Sequence, residues 1–230
     1  MRAVHVALLA CACGRTGFDP IDSVPSLVAV NPIYATTATS SVPATIGAGH
    51  LVVVVVDFFS STFTVSSISD GTANQYVSAN ARATFQGGAA GDNAGTEIWY
   101  AADSLPSSGA VTITLSGDVK HFVWVAEFDH VATTSPLDTV AHTDSSTASS
   151  VLSGAALATS TPNEVVVSIG ALDSDVTAIA SGNPFQALPY QGGDDTAYVV
   201  AAEPASYAPV WVLDGSTTYC SSSAAFVAGP

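Results

Sequence analysis

The residues best suited to chemistry lie on one predicted strand, His121–Phe128, and just beyond it. Successive strand side chains point to opposite faces, so Glu127 and Asp129 share a face as near neighbours. Paired carboxylates can serve as acid and base in glycoside hydrolysis, or can ligate a metal together with histidine. His121 shares their face but lies roughly 20 Å from Glu127 along the strand. The carboxylate pair is therefore the candidate catalytic site, without His121.

No motif of a common enzyme mechanism accompanies this pair. The chain lacks a Gly-x-Ser-x-Gly segment, a phosphate-binding Gly-Lys-Ser/Thr loop and a His-Glu-x-x-His pair. We therefore expect a non-catalytic protein. The alternative is a secreted carbohydrate-active enzyme, a glycoside hydrolase or lyase, that uses Glu127 and Asp129.

Aspartate-bearing turns offer a second kind of site. Hard cations such as Ca²⁺ prefer oxygen ligands, but aspartate also favours turns without any metal. Both interpretations stay open, and Ca²⁺ is the one candidate cofactor. The candidate metal ligands are Asp70, Asp173, Asp175, Asp194 and Asp195.

Aromatic residues near predicted turns offer a third kind of site. Rings exposed at the rim of a β-sandwich can stack on sugars, whereas buried rings would close the ends of the core. The candidate ligand-binding residues are Phe59, Phe63, Tyr190 and Tyr207.

The composition excludes several classes of protein. The chain is 48% hydrophobic and 10% charged, which is not the composition of a disordered protein. Its net charge of -15 repels phosphate backbones, so we expect no nucleic-acid partner. The longest apolar run, Leu51–Val56, has the length of a strand and is too short for a spanning helix.

Short β-branched runs separated by Gly, Ser, Asn, Asp and Pro predict an all-β, antiparallel, jelly-roll-like β-sandwich. Helical periodicity is absent. Among the predicted strands are Ser26–Val30, Ala35–Thr45, Leu51–Phe58, His121–Phe128, Glu164–Leu172 and Pro209–Leu213. The predicted sandwich domain covers residues 26–230.

The two halves of this domain, about 50–130 and 163–229, resemble each other. Ala110–Gly117 aligns with Ala208–Gly215, and the same offset places His121–Phe128 over Tyr219–Phe226. Tyr100–Asp103 resembles Val200–Glu203, and Leu51–Val56 resembles Val165–Ile169. Phe122, Trp124, Ala126 and Phe128 share one face of their strand and form an apolar, inward stripe. The alignment places Cys220 on Phe122, which predicts a buried thiol.

The N-terminus has the pattern of an export signal over residues 1–12, followed by a tether over 13–25. Leu8-Leu9-Ala10-Cys11 resembles the lipobox at which bacterial prolipoproteins are cleaved and acylated, and Ala10–Cys13 provides a second candidate. Cys13–Asp19 resembles the start of many myxobacterial lipoproteins. The resemblance implies lipidation at Cys13 or Cys11 and attachment to a membrane through the lipid.

Five further segments resemble a recurrent β-sandwich module of bacteria and phages. Gly49–Val53 is like its Gly-Asp-Leu-Leu-Val strand, and Ser66–Tyr76 is like its Val-Thr-Asp-Ser-x-Gly-Asn-x-Tyr hairpin. The shorter matches are Ile98–Ala101, Ala126–Asp129, which resembles the module's Glu-Tyr-Ser-Gly, and Ser135–Asp138. His50 replaces the usual Asp, and Asp129-His130 replaces Ser-Gly. The module occurs on extracellular proteins and has no single activity, so the resemblance implies a fold and not a reaction.

Together these features predict a binding, adhesion or structural module with a glycan or protein ligand. We expect it on the bacterial outer membrane or cell surface, anchored by lipid, or alternatively secreted.

Overall fold

The computed structural model describes residues 23–86, 93–144, 149–172, 175–189 and 195–230. Every regular element in these ranges is a β-strand, and every strand pairing is antiparallel. The predicted all-β, antiparallel sandwich is therefore confirmed. None of the described residues forms a helix of the length and hydropathy needed to cross a membrane.

The first half contains eight strands in two sheets. The five-stranded sheet has the order β1-β8-β3-β6-β5, and the three-stranded sheet has the order β2-β7-β4. Their bounds are β1 Ser26–Ala35, β2 Thr39–Ile46, β3 Leu51–Phe58, β4 Val65–Ser69, β5 Val77–Gln86, β6 Asn93–Ala101, β7 Ser107–Leu115 and β8 His121–Asp129.

The second half repeats this plan. Its five-stranded sheet has the order β14-β15-β12-β18-β9, its three-stranded sheet has the order β10-β17-β13, and β11 pairs with β16. The bounds are β9 Leu137–Thr143, β10 Ser149–Ser153, β11 Leu157–Ala158, β12 Glu164–Leu172, β13 Val176–Ile179, β14 Gln186–Ala187, β15 Asp195–Ala201, β16 Ser206–Tyr207, β17 Val210–Thr217 and β18 Tyr219–Phe226.

Strand order and register are equivalent in the two halves. Leu51 of β3 lies opposite Phe128 of β8, and Val165 of β12 lies opposite Phe226 of β18. The edge strands also share an irregularity. The register of β1 shifts after Leu27, which lies opposite Phe128, and the register of β9 shifts after Leu137, which lies opposite Phe226. The segments β7–β8 and β17–β18 therefore occupy equivalent places, although the two strands of each segment lie in different sheets and do not form a hairpin.

One part of the sequence alignment is wrong by two residues. Ala101 lies opposite Val52, and Val199 lies opposite Val166, which is the equivalent of Val52. Ala101 therefore corresponds to Val199 and not to Ala201. The offset that relates β7 and β8 to β17 and β18 extends through β6, and the resemblance of two Ala-Ala segments misled the alignment.

The two five-stranded sheets pack face to face, and each carries its three-stranded sheet on the other side. Central strands are therefore buried on both faces, which explains why every residue of β3, β12 and β18 is buried. The shared core contains equivalent positions of both halves: Leu51, Val53, Val55, Ala126 and Phe128 from the first, and Val165, Val167, Ile169, Ala224 and Phe226 from the second.

Two ring contacts across the shared core are reciprocal. Tyr100 lies 5.3 Å from Phe226, and Tyr198 lies 5.5 Å from Phe128, with interplanar angles of 65° and 60°. Tyr100 and Tyr198 are equivalent residues, as are Phe128 and Phe226. The halves therefore meet around an approximate two-fold axis, as identical subunits do in a symmetric dimer.

Candidate functional site

Three aromatic side chains form a partly exposed cluster on the first half. The Phe122 ring lies 5.0 Å from Tyr34 and 6.0 Å from Phe59, between centroids. Phe122 is 5% exposed, whereas Tyr34 and Phe59 are 49% and 40% exposed. We call these three residues the aromatic platform, because a buried ring supports two rings that are open to solvent.

The strands fix the positions of these rings. Tyr34, on the edge strand β1, lies opposite Phe122 on β8, and Phe59 follows directly after the end of β3. The Phe122 ring also lies 6.3 Å from Trp124, which is fully buried in the shared core. The platform therefore continues inward into well-packed protein.

The loop that carries Phe59 is held by several hydrogen bonds. The Phe59 N–H donates to the Lys120 carbonyl at 2.9 Å. Ser60 Oγ accepts from the N–H groups of Thr62 and Phe63, both at 3.2 Å. We call Phe59–Phe63 the platform loop. Its internal bonds restrict the Phe59 backbone before any ligand arrives.

Arg82 fastens the platform loop to the sheet. Its guanidinium donates to the carbonyls of Ser61 and Phe63 at 3.0 and 3.1 Å, and its Nε lies 3.4 Å from Glu97 Oε1. Burial raises the pKa of Glu97, against the hydrogen bond from Trp99 and the charge of Arg82. The two bonds to carbonyls hold the loop, and the buried Glu97 carboxylate lies beside the guanidinium as its opposite charge.

The other rings proposed from the sequence have different surroundings. Phe63 is partly buried against the core of the first half, and Tyr207 packs against the second half and donates its hydroxyl to the Glu203 carbonyl at 2.9 Å. Tyr190 lies outside the described residues. The alternation pattern assigned Phe122 to the core, and nothing in the sequence distinguished Tyr34.

Glu127 and Asp129 have separate partners. Glu127 is buried, and its Oε1 lies 2.6 Å from both His50 Nδ1 and the donating Gly47 N–H. Asp129 Oδ1 accepts from the N–H and hydroxyl of Ser26 at 2.9 and 2.8 Å. Sequence reasoning missed His50 as a partner, although its replacement of the module's usual Asp was a signal.

His121 is also buried, away from these carboxylates. Its Nε2 lies 2.9 Å from Ser40 Oγ, and its Nδ1 lies 3.0 Å from the Val119 carbonyl. Burial lowers the pKa of His121, despite the bond to that carbonyl, and favours the neutral ring.

Among the proposed calcium ligands, Asp70 is occupied by protein donors. Its carboxylate accepts from the Thr72 N–H and hydroxyl, from the Asn74 amide and from the Tyr76 hydroxyl. Asp195 is buried on β15, whereas Asp173 and Asp194 lie outside the described residues. Within the described ranges, no three His, Cys, Asp or Glu side chains, Asp175 included, are grouped to hold a metal ion.

The N-terminal cysteines, Cys11 and Cys13, likewise lie outside the described residues. Cys220 is fully buried between the halves, beside Phe85 and Ala171, as the alignment with Phe122 predicted.

These features define a doubled β-sandwich with a surface cluster of aromatic rings. No protein-family model, no curated protein and no solved structure matches the chain.

Proposed function

We propose that this protein is a non-catalytic, extracellular binding module that takes a carbohydrate on its aromatic platform. The observation that carries the proposal is the arrangement of two half-exposed rings, Tyr34 and Phe59, on either side of the buried Phe122. Sugars present flat apolar C–H faces beside their hydroxyl groups, and aromatic rings match both features. Rings that carry little conformational freedom lose little entropy on binding.

Charge narrows the class of glycan. The net charge of -15 disfavours polyanionic ligands such as sulfated or uronic-acid polymers. Neutral glycans carry no such penalty. We therefore propose a neutral oligosaccharide or polysaccharide as the ligand.

The carboxylates have surroundings that favour a structural role over catalysis. Glu127 is bound to His50 and Gly47, and Asp129 to Ser26. A general acid or base must reach the scissile bond, and the buried, hydrogen-bonded Glu127 reaches it poorly, which leaves Asp129 without a partner carboxylate. This supports the binding proposal over the enzyme that would use Glu127 and Asp129.

We further propose that the module is attached to the bacterial outer membrane or cell surface by acylation at Cys13 or Cys11. The support is the short signal-like segment that leads directly into both cysteines. Processing in a bacterial host should be blocked by globomycin and should add the mass of lipid. An intact Met1 would contradict it.

A glycan array probed with the soluble chain tests the proposed function. We expect binding to neutral glycans that is clearly weaker in Tyr34→Ala and Phe59→Ala. The matched control is Leu105→Ala, which removes a side chain of similar exposure (48%) near His50, at the other end of the first half. Turnover of a bound glycan that disappears in Glu127→Gln and Asp129→Asn would establish the enzyme instead.

A further inference from the structure

A second candidate site lies at the opposite end of β8 from the aromatic platform. An open depression of about 360 Å³ is lined there by His50, Asp129, His130, Val131, Thr133 and Gly229, among others. Two of its wall residues are histidines: His50 directly before β3, and His130 in the turn after β8. Both histidines therefore line one solvent-accessible cavity.

His50 is held in one orientation by buried protein groups. Its Nδ1 lies 2.6 Å from Oε1 of Glu127, whose side chain is 5% exposed. The ring also lies against Gly47, where a Cβ atom would come within 2.6 Å of His50 Cε1. Glycine at this position therefore gives the ring its room, and the carboxylate fixes the ring through Nδ1.

His130 is oriented by the other carboxylate. Its Nδ1 lies 3.1 Å from Oδ1 of Asp129, which Ser26 holds with two further hydrogen bonds. Burial opposes the charge of Asp129, but the bonds from Ser26 and His130 hold its pKa below the usual value. His130 has a positive φ of 53°, which is uncommon for a residue with a side chain.

The two histidines thus share one pattern, in which a carboxylate engages Nδ1. A hydrogen bond from Nδ1 to a carboxylate fixes the tautomer that leaves the Nε2 lone pair available. Metal-binding histidines in proteins are oriented in this way by partners outside the coordination shell. In this protein the buried Glu127 and the anchored Asp129 supply such partners.

We propose that His50 and His130 together bind one divalent transition-metal ion through their Nε2 atoms. Imidazole ligands suit Zn²⁺, Ni²⁺ and Cu²⁺, whereas Ca²⁺ and Mg²⁺ prefer oxygen. Water completes the coordination shell, since the site has two protein ligands. The acidic surface attracts cations in general, but the pair of nitrogen ligands selects this class.

Isothermal titration of the full chain with Zn²⁺ tests the site. All measurements use a parent variant, the background chain, in which His5→Ala, Cys11→Ser and Cys13→Ser prevent the N-terminal segment from supplying ligands. We expect one ion per chain, and at least a tenfold loss of affinity in His50→Ala and in His130→Ala. The control is His142→Ala, which removes an exposed histidine from β9 and should leave affinity unchanged.

Electron paramagnetic resonance of the Cu²⁺ complex gives an independent readout. Two imidazole nitrogens should appear in the background chain, and one in each single variant. His130 is half-exposed, so His130→Ala remains informative even if His50→Ala fails to fold and leaves Glu127 buried without its partner. No binding, or equal binding by the His130→Ala and His142→Ala variants, would overturn the proposal.

Discussion

Trp124 contacts the shared core, the platform and the second half. It is fully buried on the central strand β8, its ring lies 6.3 Å from Phe122 of the platform, and its Nε1 donates to the Pro189 carbonyl of the second half at 2.8 Å. It therefore links the shared core to the proposed binding surface.

Removing this side chain should be costly. Trp124→Ala should destabilise the fold by about 3–5 kcal/mol through lost burial and the cavity left behind. Cys220→Ser should cost about 1–3 kcal/mol because it places a hydroxyl in a buried site, and Cys220→Ala should cost less. Denaturant unfolding tests this order. Rapid alkylation of Cys220 in the native protein would show that the face assignment of β18 is wrong.

Asp70 ties the loop between β4 and β5 together, and its role should depend on pH. Burial opposes ionisation, but hydrogen bonds from Asn74, Thr72 and Tyr76 outweigh it and lower the pKa of Asp70 from 3.8. Because the folded-state pKa lies below the unfolded value, the ionised form stabilises the fold. That contribution is present above the unfolded pKa and is lost as pH falls through the folded pKa.

The expected result is a pH-dependent difference between wild type and Asp70→Asn. The variant should be less stable near neutral pH, and the gap should narrow as the pH falls below the ordinary value of 3.8. Thermal unfolding across this range measures it. Asp118→Asn, a change to a carboxylate that accepts from the Ala38 N–H, serves as a comparison. A stability difference between wild type and Asp70→Asn that grows as the pH falls would contradict the stabilising role of ionised Asp70.

The position of the platform loop depends on its hydrogen bonds to Arg82. The double variant Arg82→Met/Glu97→Gln removes both charges, so no unpaired charge stays buried, while the carbonyls of Ser61 and Phe63 lose their donor. We expect glycan affinity to fall severalfold, with little change in the fold. Glu97→Gln alone keeps the arginine and should keep the affinity. An equal loss of glycan affinity in both variants would show that Glu97 determines the affinity, and not the hydrogen bonds from Arg82 to the loop.

The central strands could be predicted closely from the sequence. Leu51–Phe58 and Glu164–Leu172 have the predicted bounds, because both segments are short, rich in Val and Ile and bounded by turn residues. β1 was harder. The sequence predicted a break near Pro32, yet the strand continues to Ala35, since an edge strand tolerates proline without losing an interior hydrogen bond.

The candidate sites were less predictable, for a physical reason. Period-two alternation places residues on a face, but it does not tell which layer covers that face. Glu127 lies on the face that the three-stranded sheet covers, so it is buried, and its partner His50 comes from the loop before β3. The platform joins residues from β1, β8 and the loop after β3, and such a contact depends on register across strands.

The two halves have equivalent strand orders but different surfaces. The shared core uses equivalent residues from both, whereas the platform residue Phe122 is replaced by Cys220 at the equivalent place. Among the described residues, this ring cluster therefore belongs to the first half. The second half covers the apolar face of the sheet on which the rings stand, and we infer that it supports the site without contributing a second copy.

The central claim is that the platform binds neutral glycan, and titration calorimetry with the strongest array ligand tests it most directly. Relative to wild type, Phe59→Ala should weaken binding about tenfold, which corresponds to about 1.4 kcal/mol. Leu105→Ala should bind as wild type does, and both variants should unfold at nearly the wild-type temperature. Wild-type affinity in a folded Phe59→Ala variant, or an equal loss in Leu105→Ala, would contradict the account.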